Sequence, residues 1–139
     1  MKTIFNLLLS ICMVSTLSSQ FVIESEIDFE VCVNKSQTTE WIPTCTEGQS
    51  HSVLTIGKNF EKVSYYINGD TEILDVVSHG RYPNDDKDYV IMCTLEGDPF
   101  DYIIIVGASS YEIVQSIDGD IKVVLKHQVK KATRLWELL

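Results

Sequence analysis

The chain has 139 residues and a formal net charge of −9 at neutral pH, from 20 acidic and 11 basic side chains. This length suits one domain that is large enough to bury a hydrophobic core. The acidic balance excludes nucleic acid as a favourable partner, because its phosphates would be repelled.

The N-terminal segment has the pattern of a secretory signal peptide. Lys2 supplies the positive start, Ile4–Val14 is almost entirely apolar, and Ser15–Gln20 is small and polar, with cleavage expected after Ser18 or Ser19. The apolar run is shorter than the roughly 20 residues that a transmembrane helix needs, so a membrane anchor is the weaker interpretation. We therefore expect a secreted or periplasmic protein.

The expected domains are a signal peptide over residues 1–19 and one mature domain over residues 20–139, which keeps three cysteines, Cys32, Cys45 and Cys93. Export permits disulfides, and three thiols allow at most one intramolecular bridge. We favour Cys32–Cys45 because it closes the shorter loop between segments expected to be neighbours, with three free buried thiols as the alternative. No Cys-x-x-Cys pair is present, so a zinc site is not expected.

The mature chain begins with a strand-like run and ends with a basic segment. Phe21–Val33 alternates apolar and polar residues, which predicts one half-buried strand. Its wet face is either a solvated surface or a patch for a cation or a basic partner. From Ile121 onward the chain holds five bases and one acid, so this end is either solvated or contacts an acidic surface. The acids of the first strand are Glu24, Glu26, Asp28 and Glu30.

Short apolar runs and turns follow as far as Val129. Asn68-Gly69 predicts a type I′ hairpin turn, because both residues tolerate a positive φ, and Asp118-Gly119-Asp120 is a second hairpin pattern. The longest predicted break is His79–Asp88, whose acids we interpret as a solvated loop because they lack the EF-hand pattern of a calcium site. The predicted strands are Trp41-Ile42, limited by Pro43 to an edge or end, then His51–Ile56, Phe60–Ile67, Thr71–Ser78, Tyr89–Leu95, Pro99–Val106, Tyr111–Ile117 and Ile121–Val129, with Thr46–Ser50 as a loop.

These runs predict an all-β fold. Eight or nine short antiparallel strands with short connections favour a meander that closes into a small barrel, because an open edge invites aggregation. A β-sandwich is the alternative. The tail Lys130–Leu139 places Leu135, Leu138 and Leu139 at helical spacing, which predicts a short C-terminal helix or a last strand.

Aromatic residues along the meander are the most suggestive functional feature. A small barrel either fills its interior with side chains or leaves room for one ligand. A packed core is the default interpretation, and a ligand pocket is the alternative that would give the domain a function. Its expected ligand-binding residues are Tyr65, Tyr89, Tyr102 and Tyr111, whose hydroxyl groups need partners when buried.

Several segments resemble uncharacterised small exported β-rich proteins that are common in Bacteroidetes genomes. The size and the meander are similar to those of lipocalin-like bacterial domains, although the Gly-x-Trp motif is absent because Thr39 and Glu40 precede Trp41. The resemblance implies an exported β-domain. It rests on the Trp41 segment, Leu-Thr-Ile in His51–Ile56, Tyr-Tyr-Ile in the hairpin, Tyr-x-x-x-Cys at Tyr89–Cys93 and a late Val-rich strand.

Together these features predict a non-enzymatic binding protein that holds a small apolar or amphipathic ligand in a β-barrel. The alternative is a protein–protein interaction module that uses the acidic strand face or the basic C-terminal end. We expect no nucleic acid, no membrane span, no metal and no cofactor. A hydrolase or metal enzyme would require two or more of His51, His79 and His127 to meet a carboxylate in one cleft.

Overall fold

The computed structural model describes residues 20–25, 28–34, 43–49, 51–57, 59–82, 85–133 and 135–138. This part of the chain is almost entirely β-structure, which confirms the all-β class. The predicted C-terminal helix is present, and a short strand precedes it. The elements are β1 (Phe21–Ser25), β2 (Asp28–Asn34), β3 (Pro43–Gln49), β4 (Ser52–Ile56), β5 (Lys62–Ile67), β6 (Asp70–Tyr82), β7 (Asp85–Thr94), β8 (Asp101–Val106), β9 (Ser110–Ile117), β10 (Asp120–Gln128), β11 (Lys131–Thr133) and α1 (Leu135–Leu138).

The eleven strands of the described residues form one antiparallel sheet in the order β11-β1-β4-β5-β6-β7-β8-β9-β10-β2-β3. The strands from β4 to β10 are consecutive neighbours, so the predicted meander is present. β11 and β3 are the two ends of the sheet, and no pairing joins them within the described residues. The predicted closure into a barrel is therefore not confirmed.

The predicted single strand Phe21–Val33 is wrong, because it is two strands, each next to a different end strand of the sheet. β1 pairs with β4 and β11, whereas β2 pairs with β10 and β3. Only residues 26 and 27 separate them, so the Cα atoms of Ser25 and Asp28 are at most about 11 Å apart. The two ends of the sheet therefore approach each other here. Apolar and polar residues alternate in the sequence from β1 into β2 without interruption. The sequence pattern therefore did not reveal that the two strands have different partners.

Both predicted hairpin turns are confirmed. Asn68 and Gly69 have φ values of 52° and 92°, and Asp118 and Gly119 have φ values of 52° and 85°. Two successive positive φ angles fit a type I′ turn, whose twist matches the flanking strands.

The predicted break at His79–Asp88 is largely strand. β6 continues to Tyr82 and β7 begins at Asp85, and their pairing shifts register between Val76 and Ser78. Val77 is thus an extra residue, a β-bulge that changes the phase of β6. The polar composition of this segment suggested a loop, but the described pairing of β6 beyond Val76 is with β7 alone, so fewer of its positions must be apolar.

The predicted loop Thr46–Ser50 is also strand up to Gln49, as part of β3. Pro43 begins this strand, and β3 is an end strand of the sheet. The restriction of Pro43 to an edge is therefore confirmed, because proline lacks the N–H that an interior ladder would use. Trp41-Ile42 lies outside the described residues.

The main core lies on one face of the sheet, which we call the inner face. Phe21, Ile23 and Leu138 of α1 join it from the end of the sheet. A smaller apolar cluster lies on the opposite, outer face. The main core also contains Leu54, Ile56, Val63, Leu74, Ile91, Ile104, Val106 and Ile113, and the smaller cluster contains Cys32, Val114 and Val124.

Candidate functional site

The four tyrosines predicted to bind a ligand lie in three different places. Tyr65 and Tyr111 meet in the core, where both belong to one hydrogen-bonded cluster. Tyr102 is buried and donates its hydroxyl to Oδ2 of Asp98 at 2.8 Å. Tyr89 is half-buried in a separate aromatic group near the surface. The structure therefore brings only two of the four predicted residues together.

The core cluster of Ser52, Tyr65, Tyr111 and His127 joins two parts of the sheet across the interior. Oγ of Ser52 on β4 lies 2.8 Å from Oη of Tyr111 on β9 and 3.1 Å from Nδ1 of His127 on β10. Oη of Tyr65 on β5 lies 2.8 Å from Nε2 of the same imidazole. The meander carries β4 and β5 far from β9 and β10 in the sheet order, so this cluster fixes how the sheet curls.

Burial sets the protonation state of the cluster. The His127 imidazole is 1% exposed, and its burial lowers its pKa from 6.5 to about 4. It is therefore neutral at physiological pH, with one nitrogen that donates and one that accepts. Burial also raises the pKa of Tyr65, so this side chain stays a phenol. The cluster consists of neutral groups that each donate and accept.

A serine beside a histidine is also the pairing of a nucleophile with its general base. Ser52 and Tyr111 have no exposed surface, however, and His127 and Tyr65 are buried around them. A substrate would have to displace core side chains to reach Oγ of Ser52. The geometry therefore suits a structural cluster that satisfies its own polar groups, as buried polar groups require.

A second group of rings lies around His79. The Phe60 ring stacks on the His79 imidazole with centroids 4.1 Å apart, and Nδ1 of His79 lies 2.6 Å from Oη of Tyr89. Phe60 has a φ of 53°, an uncommon conformation for a bulky residue. The bulge at Val77 brings His79 opposite Ile91, on the inner side of β6. The sequence around His79 predicted a loop, so this group was not expected.

The three histidines occupy different settings. His127 lies in the core, His79 is exposed beside Phe60, and His51 is exposed near the Tyr66 ring. Within the described residues, no group of three or more histidine, cysteine, aspartate or glutamate side chains is placed to hold a metal ion.

The cysteines pair in the way that the sequence analysis favoured. Cys32 on β2 and Cys45 on β3 stand directly opposite each other, with Cα atoms 4.0 Å apart, and form a disulfide. Cys93 is a buried free thiol, and burial raises its pKa to about 12. A thiol with such a pKa is inert, because the thiolate is the reactive form.

The outer face carries the most exposed large apolar side chains of the described residues. Ile73 is 56%, Val77 68% and Met92 44% exposed; we call these three residues the outer patch. Their neighbours Leu74 and Ile91 belong to the main core, so the outer patch faces the opposite way.

The outer patch continues into an apolar row across the sheet. Met92 stands opposite Ile103, Ile103 opposite Val114, and Val114 opposite Val124. Val124 and Val114 are buried, Ile103 is half-buried and Met92 is exposed. The sequence indicated this apolar row, because Ile103–Ile105 is apolar at consecutive positions. Both faces of that strand therefore carry apolar side chains.

The sequence suggested two charged interaction surfaces, the acidic face of the first predicted strand and the basic C-terminal end. The side chains of the acidic set, Glu24, Glu26, Asp28 and Glu30, lie outside the described residues. At the basic end, Nζ of Lys122 lies 3.7 Å from Oδ2 of Asp120, and Lys126, Lys130 and Lys131 are exposed.

No protein-family model, curated protein or solved structure matches this chain. The resemblance to exported Bacteroidetes proteins therefore stays a prediction. In the described part of the chain, no helix has the length and the apolar composition needed to cross a bilayer.

Proposed function

We propose that this protein is an exported, non-enzymatic domain that binds a protein partner through the outer face of β6, β7 and β8. The observation that carries the proposal is the outer patch, where Ile73, Val77 and Met92 expose between 44% and 68% of their surface. Apolar patches on a folded domain mark interaction surfaces, because water would otherwise cover them at a cost in free energy.

The position of the outer patch supports this proposal. β6 and β7 are central strands paired on both sides, so their backbone is fixed and the patch is a preformed surface. A charged group lies within it, because Asp75 stands between Ile73 and Val77 on the outer face of β6 and pairs with Lys62 at 2.7 Å. Protein-binding surfaces usually combine apolar side chains with polar and charged ones.

The alternative, a small apolar ligand held inside the sheet, has less support. Its four candidate tyrosines place their hydroxyls against protein groups, namely His127, Ser52, Asp98 and His79. A ligand among Tyr65, Tyr102 and Tyr111 would have to break contacts that now satisfy buried polar groups.

Export is supported by the signal-peptide pattern and by the Cys32–Cys45 disulfide, since disulfides persist mainly in oxidising compartments. The neutral, enclosed setting of Ser52 and His127 supports a non-enzymatic role.

Affinity isolation of the tagged protein from its host tests the proposal. We expect a co-purifying protein with the wild type, its loss with Met92→Lys, and its retention with Ala108→Lys, which adds the same charge at an exposed turn residue. Unchanged co-purification with Met92→Lys, in a variant that melts like the wild type, would overturn the assignment of the binding surface.

A further inference from the structure

β3 is the last strand of the sheet that the described residues form. Among the described residues it pairs on one side only, with β2, over seven residues from Pro43 to Gln49. The other end of the sheet, β11, has three residues. An end strand as long as β3 offers a row of backbone N–H and C=O groups to another strand.

The disulfide pair shows which backbone groups face outward. Residues opposite each other in an antiparallel pair alternate between hydrogen-bonded pairs, with Cα atoms about 5.5 Å apart, and non-hydrogen-bonded pairs, about 4.5 Å apart. Cys32 and Cys45 are 4.0 Å apart, so theirs is a non-hydrogen-bonded pair. The backbone groups of Cys45 therefore point away from β2, and so do those of Pro43, Glu47 and Gln49.

These outward positions are symmetric about Thr46. If a second β3 runs antiparallel beside the first with Thr46 opposite Thr46, then Cys45 faces Glu47 and Pro43 faces Gln49. Each Cys45–Glu47 pair then makes two backbone hydrogen bonds, and each Pro43–Gln49 pair makes one, because Pro43 lacks an N–H. The missing N–H of Pro43 also costs no bond to β2.

We propose that β3 of one copy pairs antiparallel with β3 of a second copy of this chain, centred on Thr46, to form a two-fold symmetric dimer with one continuous sheet.

A second copy fits this edge for reasons of charge and symmetry. Each chain has a net charge of −9, which opposes any contact between copies that places acids opposite each other. Glu47 is the only charged residue of β3, and the symmetric register places it opposite Cys45, so no two acids stand directly opposite. Pairing of β3 with β11 would be head-to-tail and would match seven residues to three, whereas the β3–β3 contact closes at two copies.

Amide-resolved hydrogen exchange of the purified mature chain tests the dimer. We expect the amides of Cys45, Glu47 and Gln49 to exchange more slowly as the protein concentration rises. Thr44 and Thr46, which bond to β2, are internal controls and should be protected at every concentration. Fast exchange at Cys45 and Glu47 at concentrations where light scattering reports a dimer would overturn the proposal, because the dimer would then use another surface.

Two substitutions of Glu47 test the dimer by a second method that does not use hydrogen exchange. Glu47→Pro removes an outward N–H without removing a bond to β2, so the scattering mass should fall to that of one chain. Glu47→Ala removes the charge but keeps the N–H, so the mass should stay that of two chains. A wild-type mass of one chain at every concentration, or a dimer that survives Glu47→Pro, would contradict the proposal. Met92→Lys lies on a different surface and should leave the dimer intact.

Discussion

The ring of Tyr111 stacks on the imidazole of His127, with centroids 4.5 Å apart and an angle of 15° between the planes. The two residues belong to neighbouring strands and stand opposite each other in the β9–β10 register. Ser52, from the other part of the sheet, lies within hydrogen-bonding distance of both side chains. The curl of the sheet therefore depends on polar groups inside an apolar core.

Protonation of His127 should destabilise the fold. Its folded-state pKa, about 4, lies below the unfolded value of 6.5, so the unfolded chain binds the proton more tightly. The contribution of His127 to the unfolding free energy is complete above pH 6.5 and is lost as the pH falls toward 4. The full loss is about 3 kcal/mol.

Urea denaturation between pH 4 and pH 7 measures this loss. In His127→Gln the unfolding free energy should be lower at pH 7. As the pH falls from 7 to 4, it should decrease by about 3 kcal/mol less than in the wild type. Other groups titrate in both proteins and cancel in the comparison. An identical pH dependence in the two proteins would show that the pKa of His127 is the same in the folded and the unfolded chain, and would contradict this prediction.

Removal of the Ser52 hydroxyl should weaken the cluster. Ser52→Ala deletes the partner of Nδ1 of His127 and of Oη of Tyr111 in the core, which should cost about 1–3 kcal/mol of unfolding free energy. Ser64→Ala, on the neighbouring strand β5 and only half-buried, is the matched control and should cost less. Equal losses in chemical denaturation would argue against a structural role for Ser52.

The disulfide should link Cys32 to Cys45 and leave Cys93 free. Peptide mapping without reduction measures this pairing directly, and a bridge that contains Cys93 would contradict it. Reduction should lower the unfolding free energy by about 3 kcal/mol, as expected for a loop of this length. Cys93 should react with an alkylating reagent only after unfolding, because it is buried and its pKa is about 12.

Substitution of the glycine in the second hairpin turn should lower the stability of the fold only through its backbone conformation. Gly119 has a φ of 85° and no atom near the position of an added Cβ, so Gly119→Ala meets strain but no clash. We expect a loss of about 1 kcal/mol. Gly80→Ala is the control, since Gly80 also has open space but no positive φ, and it should be neutral or slightly stabilising. Thermal melts of the two variants distinguish them.

Local features of this fold could be predicted from the sequence, whereas its long-range arrangement could not. The Asn68-Gly69 turn and the alternation of Tyr89–Leu95 depend on φ preferences and on a period of two, both of which are local. The split between β1 and β2 depends on which strands lie on either side. One continuous strand and two strands with different neighbours show the same alternation of apolar and polar residues. The extension of β6 and β7 through polar residues was missed for a related reason, because only the partner strand stabilises it.

The candidate site shows the same division. The sequence predicted that the hydroxyl groups of buried tyrosines need partners, but Tyr65 and Tyr111 find these partners on β10 and β4, distant in sequence. The outer patch was missed because the sequence pattern of Thr71–Ser78 does not show which apolar side chains the core covers. Ile73 and Val77 flank the core residues Leu74 and Val76, and only the packing shows which of them are covered.

The most direct test of the proposed function is site-specific photo-crosslinking in the host cell, with a benzophenone amino acid in place of Val77 or, as the control, of Ala108. We predict that the Val77 position, which is 68% exposed, forms an adduct with one other protein. The Ala108 position, on an exposed turn, should form none. A Val77 position that yields only unlinked chain, while the protein is folded and exported, would contradict a protein-binding role for the outer face.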